Sequence, residues 1–589
     1  MMDNRFQFFD VIKGIAILGV VLFHIGLLNY GYLGVDVFLV ISGYLTTISL
    51  LKYKSMNGSN YSNFIKRRIT RLAPISLIVI AISLLVCYFV MVPADFKLCS
   101  EMAVGSSIFM GNVVQYITSR DYWDSINDFK PLMHLWYVGL IFQFYILFPI
   151  IFIVKNSKNR GERMLELSLW VIFIASIAFY LIPIGKDEID TSVKFYLLPA
   201  RLFEFVAGSI VAFNYRNEKA YNCLTKYVLL ILIALILIIS INFEIDAKKI
   251  RLIIVVALTT GLLILKERDK RLLENYKLPV IAKLGVASYS IYIFHQVVIA
   301  LYRYIVNYDF SITEYLGLFF MSIIIGLVCY KYIEKPLSDI AHTKKGSNYI
   351  IILSVVLAII LIAAGAYVYY KKGVMRDVPQ LNIYKNNPSS WEQQGYNERI
   401  NKFNKDFPAN GRKNILVFGD SYGRDWVNIM LESNIDTTRY NISYHGIDVD
   451  SSAIARVKKA NIIFVANASE MKTFYYMLPY FYDKKFWRIG YKQYYSSIGP
   501  MYNNIFRNKN YYKKHVVEPE RSKEINDIER KLYKSRYIDM MGVLKNKDGE
   551  ITVFTPNHKF ISHDGLHLTK EGAKYYAKKL NIKKYLGEY

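Results

Sequence analysis

The chain has 589 residues, of which 53% are hydrophobic, and a formal net charge of +26. Long apolar runs fill the first 370 residues or so, and a polar region rich in Lys, Asn and Tyr follows, which excludes a wholly soluble protein. Basic residues gather in loops and in a Lys-rich tail rather than on one helix, which argues against a nucleic-acid partner and favours anionic lipid or glycan.

Eleven apolar runs are candidates for membrane-spanning helices, each of which needs roughly 20 residues. The first run has no A-x-A cleavage site, so we expect it to be retained as a helix. The stretch 102–117 is short and predicts a re-entrant or interfacial segment. The predicted spans lie near residues 8–28, 34–52, 72–92, 133–154, 166–184, 196–215, 226–243, 250–266, 280–302, 312–333 and 349–370.

The basic residues alternate between the loops of this span map. Loops after even-numbered spans hold about 21 Lys and Arg residues, and loops after odd-numbered spans hold about nine. Because Lys and Arg favour cytoplasmic loops, the alternation predicts a cytoplasmic N-terminus. An odd number of spans then places the C-terminal domain on the far side of the membrane.

The cysteines give no sign of a metal centre. Cys87, Cys99, Cys223 and Cys329 all precede the polar region, so we expect no disulfide in the soluble part. Neither C-x-x-C nor a Cys/His ligand spacing occurs in the sequence, and we predict no metal.

Several ionisable side chains fall at membrane depth, where they are costly and usually functional. A lone buried histidine is often only a helix–helix contact, and Arg201 with Glu204, three residues apart, can be a purely structural ion pair. Taken together, however, they are more than a passive anchor would carry. The set is Lys13, His24, Asp36, His134, Arg201, Glu204 and His295.

These residues fall within motifs that resemble the acyltransferase-3 family of membrane O-acyltransferases. The segments are FFDVIKGIAILGVVLFH, GVDVFLVISGY, FIKRRITRLAP, HLWYVGLIFQFY, FYLLPARLFEFVAGS, LGVASYSIYIFH and YIEKPL, in that order between residues 6 and about 338. The resemblance implies acyl transfer from cytoplasmic acetyl-CoA to a glycan beyond the membrane. It also implies that the family's pattern of a basic residue, ten intervening residues and a histidine falls on Lys13 and His24.

Two positions depart from the family pattern. Lys13 stands where the family usually has Arg, so the charge is kept but the planar two-pronged donor is lost. Ile141 stands where the family usually has Glu, so this chain either performs the role of that carboxylate in another way or does without it. We expect Lys13, Arg68 and Arg71 to hold the anionic donor, with His24 as general base or transient acyl acceptor near the thioester. Asp36, His134, Arg201 and Glu204 complete the predicted substrate-binding set.

The polar region predicts an α/β domain with a serine nucleophile. The segment NILVFGDSYGRDW reads as a buried strand, a sharp turn and a helix, which exposes the hydroxyl of Ser421 beside backbone N–H donors. Asp564 and His567, three residues apart before a closing helix, can serve as orienting acid and general base. His563 is off this spacing and is interpreted as a bystander.

This region resembles the SGNH hydrolase/acyltransferase family over roughly residues 414–585. The resemblance puts the nucleophile on Ser421 and the other triad members on Asp564 and His567. It also implies two further oxyanion donors, for which Gly446 and Asn467 are candidates, although the usual GxND motif is absent.

The sequence thus predicts a polytopic α-helical membrane bundle of about 11 helices plus a C-terminal α/β/α SGNH-like domain. We expect a transmembrane domain at 1–345, an additional helix at 346–370, an extension at 371–413 and the SGNH-like domain at 414–589. The fused architecture looks like that of bacterial surface-glycan O-acetyltransferases in the inner membrane. It implies acetyl-CoA as donor substrate, no bound cofactor and lipopolysaccharide O-antigen as acceptor.

Other functions remain open from the sequence. The acceptor can be peptidoglycan instead of O-antigen. The membrane half can be a transporter with an appended hydrolase, or a passive anchor for an extracytoplasmic carbohydrate esterase. A pure binding module is disfavoured because the Ser, Asp and His set is intact.

Overall fold

The structure is a computed structural model of the chain. It describes residues 4–118, 125–156, 161–185, 187–214, 231, 234, 248–268, 278–387, 396–466, 480–481 and 484–587. Its contacts divide the chain into two compact units. One comprises Met1–Val90 and Asp95–Tyr370, and the other comprises Met91–Ala94 and Lys371–Tyr589. The finer domain boundaries predicted from the sequence stay predictions.

The described part of the first unit is built from helices and short turns. Two pairs of neighbouring helices are sharply bent at the break between them. The bend is 41° between Ile189–Tyr196 and Leu198–Asn214, and 74° between Pro279–Val286 and Ser288–Ile305. The helices are α1 (Asn4–His24), α2 (Gly34–Leu51), α3 (Gly58–Val90), α4 (Pro93–Ser107), α5 (Gly111–Thr118), α6 (Trp136–Leu147), α7 (Gly161–Leu181), α8 (Asp187–Tyr196), α9 (Leu198–Asn214), α10 (Lys248–Arg268), α11 (Pro279–Val286), α12 (Ser288–Ile305), α13 (Ile312–Cys329), α14 (Lys335–Ala341) and α15 (Lys344–Tyr370).

The first unit is confirmed as a helical unit with several helices that are long and apolar enough to cross a membrane. Among the described residues, six helical stretches are long and apolar enough to cross a membrane, or up to eight if each bent pair is one span. The predicted span 226–243 lies almost wholly outside the described residues. The count of about eleven therefore stays a prediction.

The second unit confirms the predicted C-terminal α/β domain. Five parallel strands form one sheet in the order β2-β1-β3-β4-β6, and β5 pairs with β7 in a separate antiparallel ribbon. The strands are β1 (Lys413–Gly419), β2 (Tyr440–His445), β3 (Ile462–Ala466), β4 (Lys485–Ile489), β5 (His515–Val516), β6 (Tyr537–Ile538) and β7 (Ile551–Thr552). The helices are α16 (Ser421–Glu432), α17 (Ser451–Lys459), α18 (Gly499–Arg507), α19 (Glu520–Tyr533), α20 (Lys570–Lys579) and α21 (Ile582–Leu586).

Alternate residues of β1 enter different cores because side chains alternate across a strand. Ile415 and Val417 join the core that contains Trp426 of α16, whereas Leu416 and Phe418 join the core that contains Val457 of α17. Helices therefore cover both faces of the sheet, and β1 is buried on both sides, as is usual for parallel sheets.

The strand order also fixes where a ligand can bind. The sheet grows from β1 in both directions, to β2 on one side and to β3 on the other. The connections that leave β1 and β3 therefore diverge, and open α/β sheets bind ligands in the resulting crevice at the carboxyl ends of the strands. Ser421 lies two residues after Gly419, the residue at the carboxyl end of β1.

Candidate active sites

Ser421 is the first residue of α16, at the point where the chain leaves β1. The Asp420 side chain caps the helix by accepting a hydrogen bond from the Tyr422 N–H at 2.9 Å. The turn is tight: a Cβ on Gly419 would lie only 1.7 Å from the Ala466 carbonyl oxygen. A half-buried serine at a helix N-terminus has unpaired backbone donors nearby, which suits a nucleophile and its oxyanion.

Asp564 and His567 form the predicted pair in the loop before α20. The His567 Nδ1 lies 2.5 Å from the Asp564 Oδ2, and the Oδ1 of the same carboxylate accepts hydrogen bonds from the backbone of Leu566 at 2.9 Å and His567 at 2.7 Å. Because Nδ1 donates to a carboxylate, the Nε2 carries the lone pair. This is the tautomer that a general base requires.

Both pKa values in this pair are shifted in the direction that supports catalysis. Burial raises the pKa of Asp564, but the charge of His563 and the hydrogen bonds from His567 outweigh it, so the net pKa is lowered. For His567, burial lowers the pKa, but the hydrogen bond and charge of Asp564 outweigh burial and raise it. Asp564 therefore stays ionised, and His567 becomes a stronger base than a free imidazole.

The loop that carries this pair is held by the segment around Tyr494. Gly565 has a φ of +94°, and a Cβ there would lie 2.2 Å from the Tyr495 carbonyl oxygen. The Tyr494 N–H donates to the Gly565 carbonyl at 2.9 Å. Only glycine fits this left-handed position at such close approach.

A buried ion pair links the His567 loop to the helix that begins at Ser421. Asp425 lies one turn after Ser421, and its Oδ2 is 2.6 Å from the Lys492 Nζ, with the two side chains 1% and 2% exposed. The same oxygen accepts a hydrogen bond from the Leu568 N–H at 3.0 Å, and Lys492 donates to the Leu566 carbonyl. The residues on both sides of His567 are thus fixed by one ion pair.

Asn397, from the predicted extension 371–413, joins the same network. Its side-chain amide donates to the Ser421 carbonyl oxygen at 2.8 Å and to the Asp425 Oδ1 at 2.5 Å. The network therefore positions the serine backbone and the histidine loop together. No hydrogen bond links the Ser421 hydroxyl to the His567 ring in the part of the chain that the structure describes.

The two weaker oxyanion candidates each come directly after a strand in the sequence. Gly446 directly follows β2, whose last residue, His445, is in register with Phe418 of β1. Asn467 lies outside the described residues, but it is the next residue after β3, which ends at Ala466. Their roles stay predictions.

His563, the predicted bystander, is a near neighbour of the pair. Its Nε2 lies 3.6 Å from the Asp564 Oδ2. Together with His567, these residues offer three ligand atoms within 4.8 Å of one another, a donor set that can also hold a divalent metal. A metal there would have to displace the hydrogen bond between Asp564 and His567, so the two uses of the loop compete.

The first unit contains a cationic cavity of about 330 Å³. Lys13, Arg68 and Arg71, which were predicted to hold the donor, all line it, and Lys52 adds a fourth positive charge. Among the described residues no carboxylate lines this cavity, and the rest of its wall is largely apolar. Ile141, which stands where the family usually has Glu, forms part of that wall. The cavity therefore suits a ligand with several negative charges and an apolar or neutral arm.

Three histidines meet inside the same unit. His24 ends α1, His134 lies just before α6, and His295 lies within α12; their side chains are 6%, 1% and 0% exposed. The ring of His295 lies 5.0 Å from that of His24 and 5.6 Å from that of His134, between centroids. Tyr292, which lines the cavity, lies 5.4 Å from the His295 ring and thus connects the cavity with the cluster.

Asp36, Arg201 and Glu204 form a separate buried network. The Arg201 Nη1 lies 2.7 Å from the Asp36 Oδ1 and 2.8 Å from the Glu204 Oε1, which ties α2 to α9. None of the three lines the cationic cavity. Their predicted part in substrate binding stays a prediction, beside the structural role that these contacts already give them.

Sequence reasoning missed the residues that only support others. Asp425 had one available signal, because it follows Ser421 by four residues on a predicted helix. Lys492 and Asn397 had none, since they come from distant parts of the chain and meet the site only after folding. His295 was recognised as a buried ionisable group, but nothing in the sequence placed it beside His24.

Comparison with known proteins supports the family resemblance of the membrane unit. The model of the family described as "Acyltransferase domain" matches residues 6–331. "Putative O-acetyltransferase SAR0937" of Staphylococcus aureus strain MRSA252 is 26% identical over 390 residues, which cover 62% of this chain and 64% of that protein. "O-acetyltransferase OatA" of S. aureus strain NCTC 8325 is 24% identical over 356 residues, 56% of each chain. The chain thus spans less than two thirds of the length of these relatives.

The family match covers more than half of the chain and begins where the motif series begins. The membrane unit that it covers holds the cationic cavity and the histidine cluster. The resemblance drawn from the motifs is therefore confirmed for this region: the chain belongs to the acyltransferase-3 family.

Proposed function

We propose that this protein is an O-acyltransferase that moves an acyl group, expected to be acetyl, from cytoplasmic acyl-CoA to a hydroxyl of a surface glycan. The observation that carries the proposal is the presence of two complementary sites in one chain. One unit holds a cationic cavity connected to buried histidines, and the other holds a serine on a helix N-terminus with an Asp–His pair. The names of the relatives support acyl transfer to oxygen.

In the membrane stage, the cavity binds the donor. Lys13, Arg68 and Arg71 neutralise the phosphates of the acyl-CoA, and the apolar wall accepts the arm that carries the thioester. Tyr292 lines the cavity and its ring lies 5.4 Å from the ring of His295, which in turn lies 5.0 Å from the ring of His24. We therefore expect the thioester to lie on the Tyr292 side of the cavity, towards the cluster that contains His24. His24 is the residue that takes the acyl group or activates its acceptor.

In the second stage, Ser421 carries the acyl group. His567 removes the proton from the Ser421 hydroxyl as the oxygen attacks the incoming acyl carbonyl, and Asp564 stabilises the resulting imidazolium. The backbone N–H groups at the start of α16 stabilise the oxyanion. His567 gives its proton to the group that delivered the acyl group, which leaves, and His567 becomes neutral again. It then removes the proton from a sugar hydroxyl, whose oxygen attacks the acyl-serine, and it returns that proton to the Ser421 oxygen as the acyl–serine bond breaks.

The proposal also covers the location of the protein and the glycan that accepts the acyl group. The protein lies in the bacterial inner membrane, with the N-terminus in the cytoplasm and the domain of Ser421 outside. The acceptor is an envelope polysaccharide, for which we propose lipopolysaccharide O-antigen, with peptidoglycan as the alternative. The names of the relatives specify O-acetyl transfer and no acceptor, so both glycans are analysed in the test.

The test compares His24→Ala and Ser421→Ala in cells that depend on this protein for glycan O-acetylation. Alkali-labile acetate is measured on isolated O-antigen and on isolated peptidoglycan. We expect both variants to lose the ester from the same glycan, because each removes one stage. More ester in Ser421→Ala, with no change in His24→Ala, would contradict the relay and indicate an esterase on a passive anchor. If an uncharged glycan precursor is still transported when acyl-CoA is absent, the result would instead indicate a transporter.

A further inference from the structure

The His295 ring has a basic nitrogen, Nε2, to which no described residue donates a hydrogen bond. Its Nδ1 lies 2.6 Å from the Tyr292 carbonyl oxygen. A carbonyl only accepts hydrogen bonds, so Nδ1 carries the ring hydrogen and Nε2 carries a lone pair. This Nε2 is fully buried and has no hydrogen-bond partner among the described residues.

His134 repeats the arrangement with its nitrogens exchanged. Its Nε2 donates to the Ile293 carbonyl oxygen at 2.8 Å, and its Nδ1 is buried without a partner. Buried side-chain acceptors almost always have a donor, and exceptions often mark functional groups. Two neutral imidazoles in contact, each with an unused lone pair, therefore indicate a site that receives a proton.

His24 is the nearest source of that proton. Its ring lies 5.0 Å from that of His295, closer than the ring of His134 lies to His295. In the part of the chain that the structure describes, the charged or titratable groups that act most on His24 are His295, Arg303 and His134, and no carboxylate is among them. Arg303 is a cation and cannot take a proton, so the neighbouring imidazoles are the available bases.

We propose that His295 is the base that deprotonates His24 when His24 accepts the acyl group. This inference rests on the membrane stage of the proposed function. One nitrogen of His24 attacks the thioester carbonyl carbon, the carbon–sulfur bond breaks, and the CoA thiolate leaves. The N–H bond at the other nitrogen of His24 breaks, and its proton passes to the Nε2 of His295. His295 then gives that proton to the thiolate, which yields neutral acyl-His24, neutral His295 and free CoA thiol.

The pairing of His24 with a second histidine as its base has a chemical reason. An acylated imidazole that keeps its proton is a cation, which is costly in the apolar interior of a membrane protein. Removal of the proton leaves a neutral acyl-imidazole that can persist until transfer. A buried neutral histidine performs this step without placing a permanent charge beside His24, as an Asp or Glu would.

The experiment uses full-length protein in nanodiscs with Ser421→Ala as background, so that no label can reach the serine. Labelled acetyl-CoA is mixed in rapidly, and free CoA thiol and hydroxylamine-sensitive label on the protein are followed. His24→Ala, His295→Gln, His295→Ala and the control His342→Gln are added singly to this background. His342 is exposed and lies outside the cluster. The dissociation constant for acetyl-CoA is measured for each variant.

We expect one burst of thiol per protein in the background and in His342→Gln, and none in His24→Ala. His295→Gln should bind acetyl-CoA normally but slow the burst by about 100-fold, within the range for loss of a general base. Added imidazole should restore much of the burst in His295→Ala, because it can occupy the vacated space.

Three results would overturn the inference. The first is an unchanged burst in His295→Gln. The second is a slow burst that imidazole does not restore in His295→Ala. The third is loss of acetyl-CoA binding in both His295 variants, which would make His295 a structural residue. Absence of any burst in the Ser421→Ala background would instead contradict acyl transfer to His24 in the membrane stage, so the two failures are distinguishable.

Discussion

The two units of this protein hold their histidines in opposite ways. In the soluble unit, the Nδ1 of His567 donates to a carboxylate, and the loop around it is fixed on both sides by a buried ion pair. In the membrane unit, His134 and His295 donate to backbone carbonyls and leave their other nitrogens unpaired. No carboxylate contacts the rings of the membrane cluster among the described residues.

The difference follows from the solvent that surrounds each site. A carboxylate next to His567 can stay ionised, because it accepts two backbone hydrogen bonds and its side chain is 38% exposed. At membrane depth a lone carboxylate is expensive, and here Asp36 and Glu204 both lie against Arg201. In our proposal the membrane unit therefore uses neutral imidazoles, and the soluble unit uses a charged pair.

The largest expected effect comes from removing the charge behind His567. Asp564→Asn should reduce hydrolysis of a chromogenic aryl acetate by the full-length protein on the order of 10³–10⁴-fold, because the amide no longer fixes the correct tautomer. The aryl acetate acylates Ser421 directly, so the assay bypasses the membrane stage. His563→Gln serves as comparison and should change the rate only a few-fold. A large loss in His563→Gln as well would show that His563 is no bystander.

The second-largest effect is expected from breaking the ion pair between Asp425 and Lys492, which tests whether this pair positions His567. Asp425→Asn should lower the same aryl acetate activity by about 100-fold, comparable with a misplacement of about 1 Å at a catalytic group. It should also destabilise the soluble unit by about 3–5 kcal/mol, since it leaves the Lys492 charge buried and unpaired. The aryl acetate activity, the free energy of unfolding and the pH–rate profile of the variant are all measured.

A positioning role predicts that Asp425→Asn changes kcat and the pH profile, whereas a purely structural role predicts only a lower melting temperature. Adding Lys492→Met to Asp425→Asn removes the unpaired charge and should restore much of the stability but little of the activity. The exposed Asp548→Asn is the matched control. Full activity in the stable double variant would contradict the positioning role.

A smaller effect is expected at the cationic cavity. Arg71→Gln should raise the KM for acyl-CoA by about 10-fold, equivalent to about 1.4 kcal/mol of lost binding, with little change in kcat. Arg67→Gln, an exposed neighbour that does not line the cavity, is the matched control. Equal KM values for the two variants would place the donor elsewhere.

The smallest effect is a displacement of the pH profile. Because Asp564 raises the pKa of His567, and the base must be neutral, aryl acetate hydrolysis should fall as the pH drops through a value above 6.5. In Asp564→Asn the acidic limb should move to lower pH. The corresponding stabilisation by the Asp564–His567 pair is present below pH 6.5 and is lost as the pH rises through the folded-state pKa. An acidic limb of the wild-type protein below pH 6.5 would contradict the shift.

Local patterns were sufficient to predict much of this molecule. The strand–turn–helix around Ser421 and the Asp564–His567 spacing each lie within a dozen residues, so they could be read directly. The long apolar runs predicted helices such as α3 and α15, because hydrophobic length is a local property. The predicted spans 196–215 and 280–302 did not foresee the bends of 41° and 74°, which depend on packing between helices.

The character of the two halves can be read from the amino-acid sequence: an apolar helical bundle of the acyltransferase-3 family and a parallel α/β domain with a serine just after its first strand. Which ionisable groups meet depends on how the chain packs. Packing paired Arg201 with Asp36, placed His295 against His24, and joined Asp425 to Lys492 and to the backbone beside His567. The reason is physical: hydrophobic period and turn chemistry act between near neighbours in the chain, whereas hydrogen bonds and ion pairs depend on distances that exist only after the chain has packed.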